Sequence, residues 1–137
     1  MEKSYTTNLN LPVTDFGLLF LRIAIASLMF SHGLPKLMML FGPEEISFSD
    51  PLGLGPVVTL SLAVFAEVIC SLLIGIGLAT RLASLILLIT MSIAFLVVHS
   101  NDAFQTKELA LLYLVVYAFI TIAGSGKYAL DYYFLKK

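Results

Sequence analysis

Polar positions are sparse along this chain, and the apolar runs between them are long enough to be read directly as elements. Four such runs stand out, at 16–40, 56–79, 82–98 and 109–123. A helix that crosses a bilayer needs about 20 predominantly apolar residues. The first two runs meet that length, and the shorter two meet it by extending into their flanks. Pro56 suits a first helical turn, and Gly124-Ser125-Gly126 reads as the stop of the fourth helix. Ala79-Thr80-Arg81 is a tight connection, which makes the second and third helices antiparallel neighbours. Residues 42–55 form a longer Gly- and Pro-containing loop with the acids Glu44, Glu45 and Asp50, and 99–108 form a polar loop of mixed charge. The tail from Lys127 alternates aromatic and charged residues, as an interfacial anchor does. The expectation is one unit over residues 1–137, an all-α, integral membrane four-helix bundle.

Composition supports that class. The chain is 59% hydrophobic and 12% charged, against roughly 45–50% and 25% for soluble domains. A net charge of −1 gives no reason to expect a nucleic-acid partner. The Lys and Arg residues distribute unevenly: Lys3, Arg81, Lys127, Lys136 and Lys137 fall on one side of the spans, Lys36 and Lys107 on the other. By the positive-inside rule both termini are expected in the cytoplasm. The run from Phe16 to Leu21 is shorter than the ~7–15 residues of a signal-peptide core, so a retained first helix is expected. Cys70, the single cysteine, lies in an apolar run with no nearby cation and reads as a small packing residue.

The candidate chemistry lies in the ionisable residues inside these runs, because charge in lipid costs about 2.5–3.5 kcal/mol per residue even on the gentler scales. Arg22 and His32 lie in the first span, Glu67 in the second, and His99 ends the third. At ~1.5 Å of rise per residue, Arg22 is ~9 Å and Glu67 ~18 Å from the same end, so an ion pair between them is within reach of tilt and side-chain length. Two readings of such a pair stand: a device that fixes helix register, or part of a reactive site. On a helical wheel Gly33 and Lys36 fall within about 40° of Arg22, and His32 about 80° away. A second layer gathers at the opposite end, where His32, Lys36, His99, Asn101, Asp102, Lys107 and Glu108 come from three helices at one depth. That is the pattern of a pocket at a bundle mouth, and taken singly it is also the pattern of residues snorkelling at helix ends. No HxxH or ExxH spacing supports a metal site, and no P-loop, GxGxxG or CxxCH is present. Tyr113 and Tyr117, one turn apart, read as packing residues.

Four segments in order carry a family resemblance: Leu21-Arg22 with Phe30-Ser31-His32-Gly33-Leu34-Pro35-Lys36-Leu37; Glu67 with Gly75-Ile76-Gly77-Leu78-Ala79-Thr80-Arg81; Lys107-Glu108-Leu109-Ala110-Leu111-Leu112-Tyr113; and Gly124-Ser125-Gly126-Lys127-Tyr128-Ala129-Leu130-Asp131. Over about 15–131 the chain resembles the DoxX family. The resemblance implies a four-helix protein of the bacterial cytoplasmic membrane, related to a small subunit of a terminal quinol oxidase, to thiosulfate:quinone oxidoreduction and to membrane oxidoreductase complexes that handle oxidative stress. With no flavin or metal signature, a redox role requires a bound quinone or an oxidoreductase partner subunit. On that reading Arg22, His32, Lys36 and Glu108 contact the quinone, and Glu67 and His99 exchange protons. The competing expectation is a small transporter or an assembly subunit. There Gly33, Gly75 and Gly77 would allow close contacts within the bundle or in a homo-oligomer.

Overall fold

A computed structural model describes residues 11–135. Four long helices, each apolar enough to cross a membrane, follow one another: α1 (Leu11–Phe41), α2 (Pro56–Ile76), α3 (Thr80–Val98) and α4 (Phe104–Ala123). A short α5 (Leu130–Leu135) closes the chain. No strand occurs among the described residues. α1 packs along α2, α2 against α3, and α3 along α4. The starts of α1 and α3 and the ends of α2 and α4 therefore share one end of the bundle with α5, and the loops at 42–55 and 99–103 share the other.

The helix boundaries have local causes. Among the described residues α1 reaches back to Leu11, ahead of the expected 16. Its 31 residues span about 46 Å, well beyond a ~30 Å hydrocarbon core. α2 stops at Ile76 because Gly77 turns left-handed at φ 75°, and the N–H groups of Gly77 and Leu78 return to the Leu73 carbonyl at 2.9 Å. α4 begins at Phe104 rather than 109, so Lys107 and Glu108 form part of its first turns and the loop shrinks to 99–103. It ends at Gly124, φ 83°.

Two helices are not α-helical throughout. Phe65–Cys70 in α2 and Ala94–Val98 in α3 are π-helical. Each π segment carries an extra residue per turn and resets the angular position of everything after it.

The main core joins all four long helices through Ile25, Met29, Cys70, Ile74, Leu87, Tyr117 and neighbours. A smaller cluster of Leu60, Val64 and Val68 packs under Phe30, Leu37, Ile46 and Phe48, tying the 42–55 loop to α1 and α2. Outward-facing residues are large and apolar on every span, among them Phe20, Leu28, Leu72, Ile89, Leu112 and Phe119. A soluble bundle does not expose apolar surface on this scale; a bilayer covers it.

Candidate functional site

Glu67 stands at the centre of the site. It lies on the π segment of α2 and is 3% exposed. Its Oε1 is ion-paired with the Lys36 ammonium from α1, and its buried Oε2 has no hydrogen-bond partner among the described residues. Gly33 makes the approach possible. A Cβ there would lie 3.0 Å from the Glu67 backbone carbon and 2.8 Å from Val68 Cγ2, so only glycine lets α1 come this close. Lys36 is half-buried and also lies over the Phe48 ring, 5.9 Å from its centroid.

Glu67 and Lys36 line a cavity of about 580 Å³ between α2, α3 and the 42–55 loop. That volume is in the range of small-molecule sites, ~300–1,000 Å³. Its walls are mainly apolar, with Phe48, Phe65, Ile86, Met91 and Ala94 among them, and Thr59 and Thr90 as the added hydroxyls. Both π segments contribute, through Phe65, Ala66 and Glu67 on one side and Ala94 and Val98 on the other. π-helical turns inside α-helices are frequently found at functional sites. Leu62, Phe65 and Ile89 line the cavity and are also about half exposed on the outer surface, which gives it an opening on the lipid-facing side.

His99 caps the π segment of α3 at the cavity edge, its Nδ1 2.6 Å from Asp102 Oδ2. The 42–55 loop is held over the cavity by Asp50. Its Oδ1 accepts from Thr59 Oγ1 at 2.7 Å and from the Leu54 N–H at 3.0 Å, and its Oδ2 accepts from the Gly55 N–H at 2.7 Å. The Thr59 hydroxyl first, then the Gly55 N–H, hold the Asp50 carboxyl below the usual carboxylate range.

Of the residues singled out from sequence, the structure brings Lys36, Glu67 and His99 to one cavity. Arg22 is elsewhere. It is fully buried near the other end of the bundle, donating from Nη1 to the Ile74 carbonyl at 3.2 Å and from Nη2 to the Tyr128 carbonyl. The expected Arg22–Glu67 pair does not form, because Glu67 is level with Gly33, which lies 11 residues from Arg22, or ~16 Å along the helix. His32 is exposed and meets Tyr113 edge-on at 5.7 Å. Glu108 is exposed on α4 and does not line the cavity. Tyr113 stacks on Tyr117 at 6.1 Å, and the buried Tyr117 hydroxyl has no partner among the described residues. No group of three or more His, Cys, Asp or Glu suited to a metal occurs among the described residues.

Sequence reasoning missed Phe48, Thr59, Thr90 and the part played by Asp50. A signal for Asp50 was present: Asp side chains commonly accept from backbone N–H groups a few residues on in Gly- and Pro-containing loops, as Asp50 does from Leu54 and Gly55.

Comparison with known proteins matches this arrangement to one family. The DoxX family profile matches residues 17–100. An uncharacterised protein of Haemophilus influenzae is 35% identical over 129 residues, covering 89% of this chain and 93% of the relative. No solved structure matches. The profile covers more than half of the chain, and four helices are long and apolar enough to cross a membrane: the chain belongs to the DoxX family of membrane proteins.

Proposed function

We propose that the protein binds a quinone in the cavity beside Glu67 and serves a membrane oxidoreductase system, as the quinone-interacting or accessory subunit of a partner enzyme. One observation carries this reading: in the wall of an apolar cavity that opens toward lipid stands a buried carboxylate, with one oxygen paired to Lys36 and the other without a partner among the described residues. An unsatisfied buried acceptor calls for a donor, and a ring hydroxyl of a quinol supplies one. The Lys36 ammonium is a donor suited to a quinone carbonyl. The apolar walls accept the ring and the start of its tail. When bound, the quinone supplies two-electron, two-proton redox chemistry.

This chain's own residues supply the proton handling. Glu67 accepts or returns a proton at Oε2, with Lys36 as its charge partner. His99, oriented by Asp102, exchanges protons at the cavity edge, where its side chain is 35% exposed. The π segments hold these groups on rigid helices rather than on loops. The positive-inside count, of which Lys3, Lys136 and Lys137 lie outside the described residues, favours a cytoplasmic side for the bundle end that holds Arg81 and Lys127.

Mass spectrometry of solvent extracts from protein purified in mild detergent tests the reading. Wild type and His32→Ala should carry near-stoichiometric quinone, since His32 lies outside the cavity. Glu67→Gln, which cannot accept the proton, and Ala94→Phe, which fills the cavity, should lose it. Wild-type protein without enriched quinone, or quinone kept equally by both cavity variants, would sink the proposal and shift the weight to transport or partner docking.

A further inference from the structure

The opposite end of the bundle carries a second cavity, of about 840 Å³, between the start of α1, the start of α3 and the Gly124–Asp131 segment. Arg81, Lys127, Asp15 and Asp131 all line it, so by formal charge it is balanced. The hydrogen bonding is not balanced. Asp131 spends Oδ1 on the Ala79 N–H at 2.7 Å and Oδ2 on the Thr80 N–H at 2.9 Å. Asp15 accepts the Lys127 N–H at 3.0 Å. Neither cation has an ion-pair partner among the described residues. Arg81 makes a long 3.5 Å contact to the Ile122 carbonyl, and Lys127 is exposed.

Arg81 is nevertheless held in place. A Cβ on Gly124 would lie 3.2 Å from its Nε, and Gly124 has φ 83°, so the guanidinium lies across a backbone that only glycine permits. The site is also at a telling depth. Four membrane-length helices begin or end here, which puts it at the headgroup layer. Tyr128, Tyr133 and Phe134 are exposed beside it, as side chains that enter an interface are.

We propose that this groove binds the phosphate of a membrane phospholipid, with Arg81 and Lys127 as its cationic contacts. A phosphodiester accepts in the fork geometry that a guanidinium offers, and the acyl chains would continue along the apolar outer face of α1. The site is independent of the cavity at Glu67. The simpler alternative is that Arg81 only caps the last carbonyls of α4; Lys127 makes no such contact and so separates the two.

The test is native mass spectrometry of the full chain in mild detergent after equilibration with phosphatidylglycerol, alongside thermal unfolding with inorganic phosphate. Wild type should keep a bound phosphatidylglycerol. Lys127→Gln and Arg81→Gln should each reduce retention about fivefold, while Lys107→Gln, at the far end, should keep it. Unfolding curves establish that each variant is folded. Equal retention in the Lys127→Gln, Arg81→Gln double variant would overturn the proposal. Stabilisation by inorganic phosphate without lipid retention would overturn the lipid assignment in favour of a free anion.

Discussion

Glu67 is 3% exposed with one described charge partner, and the consequences of breaking that pair are unequal. Lys36 is 30% exposed, so without Glu67 its ammonium can swing out to the helix end. Glu67 has no such route. Lys36→Met should therefore cost about 3–5 kcal/mol in unfolding experiments in detergent. Glu67→Leu should cost less, and the double variant should recover most of the loss. Additive single losses would mean the two charges are not coupled. Asp50 makes a pH argument of the same kind. Its folded-state pKa is depressed, by Thr59 first and then by the Gly55 N–H. Its stabilising effect is therefore complete above the unfolded value of about 3.9 and disappears as pH falls through the lower folded value. The gap in melting temperature between wild type and Asp50→Asn should be constant from about pH 5 to 7 and close below about pH 4. A gap that closed near neutrality would point to a different titrating group.

At the scale of the helix, α1 meets α2 through two glycines that differ in what surrounds them. A methyl on Gly33 would press on Val68 and on the Glu67 backbone at 2.8–3.0 Å, whereas one on Gly75 would rest at 3.5 Å from the Ala26 methyl, an ordinary contact. Gly33→Ala should thus lose about 1–3 kcal/mol and disturb the Lys36–Glu67 pair. Gly75→Ala should gain up to about 1 kcal/mol through helix propensity alone. Thermal unfolding of both variants checks this; the same sign for both would contradict the packing. The spans and the antiparallel α2–α3 pair were legible from apolar run length, and charge within or at the ends of those runs singled out Lys36, Glu67 and His99, which the fold gathers at one cavity although Glu67 was expected beside Arg22. The angular positions of side chains along α2 were not legible, because 100° per residue stops applying at the π segment beginning at Phe65 and the helix ends at the left-handed turn at Gly77. Nothing in the local pattern marks either π segment: one carries Glu67 among apolar residues and the other is apolar throughout.

For the molecule as a whole, the least legible feature is how one end is closed, because its contacts join residues far apart in sequence. Arg22 bridges α1 to the Ile74 and Tyr128 carbonyls, and Asp131 accepts from the Ala79 and Thr80 N–H groups across 51–52 positions. Gly77 lies between them. A Cβ there would approach Arg22 Nη1 to 2.3 Å and Ala129 Cβ to 2.5 Å, so the left-handed turn that ends α2 also makes room for the buried cation and the returning tail. The sequence held Arg22, Gly77 and Asp131 as separate signals, and a charge inside a span reads first as a reactive group. The structure makes Arg22 a clamp instead, and the two interpretations predict different losses. As a clamp, Arg22→Met should cost about 3 kcal/mol and release the Gly124–Asp131 segment, so that limited trypsin digestion cuts sooner at Lys127. Asp131→Ala, which removes the acceptor for two N–H groups at the start of α3, should cost about 1–2 kcal/mol with the same early cut. On the proposed quinone reading, quinone content per folded protein should not change in either variant, because the cavity at Glu67 is at the other end. A wild-type digestion pattern with depleted quinone would return Arg22 to the ligand site and remove it from the clamp.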